Sequence, residues 1–258
     1  MMKQLWQQVD ALLRGREAFS SEEALKRVRA NHLLVMVLIL GAAYGLFMGL
    51  YAIFSRDVAE YQQLVSCALK VPALFLLTLF ICYPSLYVFS TLLGSRLSFW
   101  STLRLLMAVT TITVTVLASF GPITGFFALS TESYPFMKLL NVAFFAAAGF
   151  LGVGALLKGW KSLVKVQPPE GVPPVMTPPD VPPPIPRPGT RLSPEEETTR
   201  QVNKVFRLWI VIYALVGCQM AWVLRPFVLD PNSPFAWFRA RHANFFVDVW
   251  HTIWKLLD

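Results

Sequence analysis

Apolar residues run along this chain in blocks, not in the alternation of a strand or the narrow stripe of a surface helix. Five blocks contain no Asp, Glu, Lys or Arg: 33–54, 71–93, 105–129, 139–157 and 208–224. A helix needs about 20 mainly apolar residues, within a range near 17–25, to cross the hydrocarbon core of a bilayer. The pattern therefore predicts an all-α integral membrane protein. Its form is a five-helix transmembrane bundle with amphipathic interfacial helices at both termini. The fifth block, "WIVIYALVGCQMAWVL", is the shortest. Arg207 and Arg225 extend it if their charged heads reach out to the interface. A re-entrant fifth segment is the alternative.

Between and beyond the blocks the chain changes character. Residues 1–32 carry Leu5, Trp6, Val9, Leu12 and Leu13 at helical spacing. A capping box, Ser20 with Glu23, follows, and the segment reads as a cytoplasmic amphipathic helical region. Residues 33–157 form a four-span core and 208–224 the fifth span, separated by a linker and helix at 158–207. Within that linker, residues 168–194 hold prolines in nearly every other position, which excludes helix and sheet and favours stiff polyproline II. "PPPIPRP", with Pro182, Pro183, Pro184, Pro186, Arg187 and Pro188, has the spacing that Pro-recognition domains bind. It is a candidate partner site, and a semi-rigid spacer is the simpler reading. Ser193 and Pro194 then open a helix that continues into the fifth span.

The tail, 225–258, mixes arginines with aromatics. "DPNSP" is a turn with Ser233 as helix cap. From there to about Leu257 the pattern places Phe238, Phe245, Phe246, Val249, Trp250, Ile253 and Leu257 on one broad side. Asn244, Asp248, His251, Thr252 and Lys255 fall opposite. Such a helix lies in the membrane interface. The expected anchors are Arg225, Trp237, Arg239, Arg241, Trp250 and Trp254.

Composition agrees with the pattern. The chain of 258 residues is 55% hydrophobic and 15% charged, against about 25% charged in soluble domains. Its net charge of +8 reads as the bias of Lys and Arg toward cytoplasmic segments, not as a nucleic-acid surface. Of the 23 basic residues, sixteen lie in 1–32, 94–104 and 158–207. That asymmetry predicts a cytoplasmic (inner) membrane location with the N-terminus in the cytoplasm and the C-terminus outside.

Inside the spans the signals concern mechanics. Gly41, Gly45 and Gly49 recur at four-residue steps, the small-residue face that lets helices approach closely. The partner is another span of this chain or a second copy. In the third span "FGPITG" (Gly121, Pro122 and Gly125) is the strongest hinge candidate. The threonines before it either line a polar path or bond back to their own helix. Pro72 and Pro84 predict a kinked second span, with Lys70 reaching outward from its end. Cys67, Cys82 and Cys218 form no CxxC pair and no metal-ligand spacing with the isolated His32, His242 and His251. HExxH and GxSxG are absent, so no enzyme chemistry and no cofactor is expected.

The stretch "ALKVPALFLLTLFICYPSLYVFSTLLGSRLSFW", with Lys70, Pro72, Pro84, Leu93 and Gly94, resembles bacterial five-span proteins of the YIP type. "QMAWVLRPF" and "PFAWFRARHANFF" resemble the C-termini of uncharacterised bacterial multi-span membrane proteins. The resemblance implies a five-helix bundle that organises membrane or other membrane proteins. The Pro-rich insert and the amphipathic tail depart from the YIP pattern. The function expected is that of a structural or accessory subunit, its partners being the lipid bilayer and another protein or a second copy. The alternative is a transporter or channel for a small solute or lipid, hinged at the third span.

Overall fold

A computed structural model of the chain describes residues 29–54, 61–92, 99–163, 194–224 and 245–257, together with Gln7 and Asp10. All but a few turn residues of these are helical, and no strand occurs among them. The elements are α1 (Ala30–Phe54), α2 (Tyr61–Leu92), α3 (Phe99–Ser119), α4 (Gly121–Ser130), α5 (Tyr134–Leu163), α6 (Pro194–Leu224) and α7 (Phe245–Leu257). Five segments are long and apolar enough to cross a membrane: Ala30–Phe54, Tyr61–Val88, Phe99–Ser130, Tyr134–Trp160 and Lys204–Leu224. The protein is thus an all-α membrane bundle, and α6 is long and apolar enough to be a full span.

The helices overrun the uncharged blocks because backbone hydrogen bonding does not stop at a charge. In α2 this matters most for a charged residue, because the helix starts at Tyr61, well before the block at 71–93. Lys70 consequently lies inside the helix and is only 8% exposed, contrary to the expectation that it reaches out from the span's end. What holds this early part of α2 in the bundle is contact with α1: Leu64, Cys67 and Ala68 lie against Gly45 and Gly49. Pro72 and Pro84 are accommodated within the same helix. At Pro84, Ser85 donates its hydroxyl to the carbonyl of Cys82 at 2.7 Å.

The packing order is simple. α1 lies against α2, α3 and α4; α5 packs on α3, and α6 packs on α2. α5 and α6 do not pack together along their length. They meet where the 164–193 connection joins them, through a 4.0 Å stack of Trp160 on Phe206. At the opposite end α7 touches both. Helix α5 opens on a local cap, with Ser133 Oγ accepting from the Phe136 amide at 3.4 Å and Pro135 in the first turn.

Candidate functional site

The glycine face of α1 is turned to α2. A methyl group at Gly45 would stand 2.7 Å from the carbonyl carbon of Cys67 and 2.8 Å from the Cα of Ala68. At Gly49 it would stand 2.9 Å from the Cα of Leu64, and at Gly41 3.1 Å from the Cα of Pro72. Three successive helical turns are therefore in near-backbone contact. The neighbouring Tyr44, fully buried, donates its hydroxyl to Asn141 Oδ1 of α5 at 2.7 Å. Asn141 in turn donates to the Met137 carbonyl at 2.8 Å. This chain of bonds crosses from α1 to α5 and engages both ends of the asparagine amide. Tyr51 adds a second tie, donating to the carbonyl of Glu132 at 2.7 Å in the turn before α5.

The joint between α3 and α4 falls at Phe120, which keeps right-handed helical backbone angles of φ −80° and ψ −8°. Pro122 sits in the first turn of α4, where its missing N–H costs nothing. The Thr124 amide still reaches the Phe120 carbonyl at 2.9 Å. Gly121 and Gly125 matter here for the space they leave, since methyl groups on them would meet the ring of Phe47 at 2.7 and 2.9 Å. The phenyl ring of α1 is seated between these two glycines. Along α3 the threonines bond backwards, Thr110 to Leu106, Thr111 to Met107, Thr113 to Val109 and Thr115 to Thr111, at 2.7–3.0 Å. Their hydroxyls donate to their own helix carbonyls.

The tail helix α7 is held by charge. Lys138, near the start of α5, forms an ion pair with Asp248 and donates to Thr252 Oγ1 at 3.0 Å. Thr252 donates onward to the Asp248 carbonyl at 2.7 Å. The stripe turned to the bundle is Phe245, Asp248, Val249 and Thr252, at the i, i+3, i+4, i+7 positions that share a helix face. Trp250 and Trp254 point away, 59% and 52% exposed, and contact each other edge to face at 6.0 Å. The remaining sequence candidates, Pro182, Pro183, Pro184, Pro186, Arg187, Pro188, Arg225, Trp237, Arg239 and Arg241, lie outside the described residues.

A cavity of about 330 Å³ occupies the space between α5 and α6. Its floor is Phe75 and Thr78 of α2 with Thr110 and Thr113 of α3. Small residues make the walls, notably Gly149 and Gly152 on α5 and Gly217 and Cys218 on α6. Phe245 of α7 closes one end. The pattern of uncharged blocks gives no sign of this space. The small residues of "ALVGCQMA" recur one helical turn apart, but such spacing tells only that a face is smooth, not that its partner stands back. Comparison of the chain with protein-family models, curated proteins and solved structures returned no match.

Proposed function

We propose that this chain is a non-enzymatic, multi-pass subunit that gives structural or accessory support to an assembly in a cytoplasmic membrane. The observation that carries the reading is the use made of polar groups at depth. Tyr44, Asn141, Ser85, Trp209 and the threonines of α3 bond to one another or to helix carbonyls. Tyr44 with Asn141 and Trp209 with Ser85 join helices, and the others satisfy their groups within one helix, in a medium that offers no water. A solute pathway needs polar groups facing a lumen, and here they face the helices.

In this reading the N-terminus is cytoplasmic and the tail lies outside, as the basic-residue asymmetry favours. The Pro-rich connection is the site for a cytoplasmic partner. The likeness to YIP-type proteins is in keeping with an organising role. The test is twofold. Purification from native membranes in a mild detergent is expected to bring down a stoichiometric protein partner or a second copy. Deleting residues 182–188 is expected to remove a cytoplasmic partner while leaving helix content unchanged. Saturable flux of ions or small solutes in proteoliposomes, above that of protein-free vesicles, would replace this reading with that of a transporter.

A further inference from the structure

We propose that the cavity between α5 and α6 is a lateral binding site for one acyl chain of a membrane phospholipid. Three observations lead there.

The first is position. The two flanking spans are the least covered of the five: 22% of an 18-residue apolar stretch of each is buried, against 61% for that of the Phe99–Ser130 span. Their gap is closed at one end by Trp160 stacked on Phe206 and at the other by Phe245. Between these ends it opens sideways, with Phe150, 78% exposed, at its mouth. A space of this kind borders lipid tails, not water.

The second is chemistry. The walls are almost wholly apolar, and Thr78, Thr110 and Thr113 donate their hydroxyls to Leu74, Leu106 and Val109 of their own helices. The Tyr213 hydroxyl, the other polar group of the lining, is turned to Thr110, so most of the wall offers a water none of the two to four polar partners it needs. Hydrocarbon is the medium that fits.

The third is shape. Along α5 the lining runs from Val142 to Leu156, about 21 Å at 1.5 Å per residue. The cavity along it holds about 330 Å³, which a single flexible hydrocarbon chain can follow over that length. The site shares Thr110 and Thr113 with the polar groups on which the accessory-subunit reading rests, but the glycines that test it take part in none of those bonds.

Two glycines allow a clean test. A methyl at Gly149 meets nothing within 4 Å, and at Gly217 it meets only the Thr78 methyl at an ordinary 3.7 Å. The first side-chain carbon is thus accommodated at both, and Gly149→Phe and Gly217→Leu place apolar bulk in the cavity from opposite walls. Gly154, on the same helix but not lining the cavity, is equally open and gives the control Gly154→Phe.

The probe is phosphatidylcholine with a diazirine near the end of one acyl chain, in vesicles holding the purified protein. Photolabelling is expected to concentrate on peptides around Gly149–Val153 and Ala214–Cys218. It is expected to fall about tenfold in each filled variant, the factor lost with some two methylene contacts, and to stay unchanged in Gly154→Phe. Labelling spread evenly over all lipid-facing helices, or equal in filled and control variants, would overturn the proposal. Labelling by a free diazirine fatty acid alone would also overturn it. So would a Cys218–Cys218 cross-link between copies in native membranes, which would put protein in this space.

Discussion

At Gly45 two helix backbones approach so closely that a methyl group would fall 2.8 Å from the Cα of Ala68. Leucine at this position must part α1 from α2, and overpacking of this kind costs about 1–3 kcal/mol. Tyr44→Phe, which strips the bond to Asn141, is expected to cost less, about 0.6–1.7 kcal/mol for an interhelical hydrogen bond in lipid. Leu46→Ala, at a side chain 44% exposed, is expected to change little. Unfolding midpoints in detergent should fall in that order, and a Gly45→Leu protein as stable as the parent would refute the packing argument. The four-residue spacing of Gly41, Gly45 and Gly49 was readable because a smooth face needs only the helical period. Its partner was not, since spacing names a face and never the surface opposite. The same holds for Gly121 and Gly125. Their neighbour Pro122 suggested backbone freedom, whereas the folded chain uses them to seat Phe47.

Among the elements, α7 is the one whose attachment rests on a few atoms. Removing the ammonium with Lys138→Met leaves Asp248 and Thr252 without their shared donor. Hydrogen bonds to charged groups contribute about 1.5–3 kcal/mol, enough to shift a short helix between docked and undocked states. Protease added on the tail's side is expected to cut after Arg239 or Arg241 faster in Lys138→Met than in the parent. The exposed Trp250 and Trp254 contribute through lipid instead, so Trp250→Ser with Trp254→Ser isolates that part. Faster cutting in the tryptophan variant, with Lys138→Met unchanged, would mean that the interface and not the ion pair holds the helix. The amphipathic pattern of α7 was legible in the sequence. Its link to Lys138 joins residues more than a hundred positions apart, and no local pattern carries such a distance.

For the molecule as a whole, five spans were visible because each must present a long apolar surface to lipid. Their ends were less visible, since charges such as Lys70 lie within helices once a neighbour covers them. If the basic residues orient the bundle as argued, cysteines at Ser193 and at the exposed His251 will label from opposite faces of intact cells. Labelling from one face alone would remove a span. The docking of α6 on α2 also bears on how the protein is made. While residues 164–193 are being synthesised, the α2 surface awaiting Trp209 faces lipid, yet Ser85 already has its bond to Cys82. The unfinished chain can therefore idle in the bilayer without an unmet hydrogen bond at that spot. On this reading α1 to α5 form a first unit on which α6 and α7 dock later. Two separately encoded pieces, parted within the Pro-rich connection, should on this account find each other in the membrane.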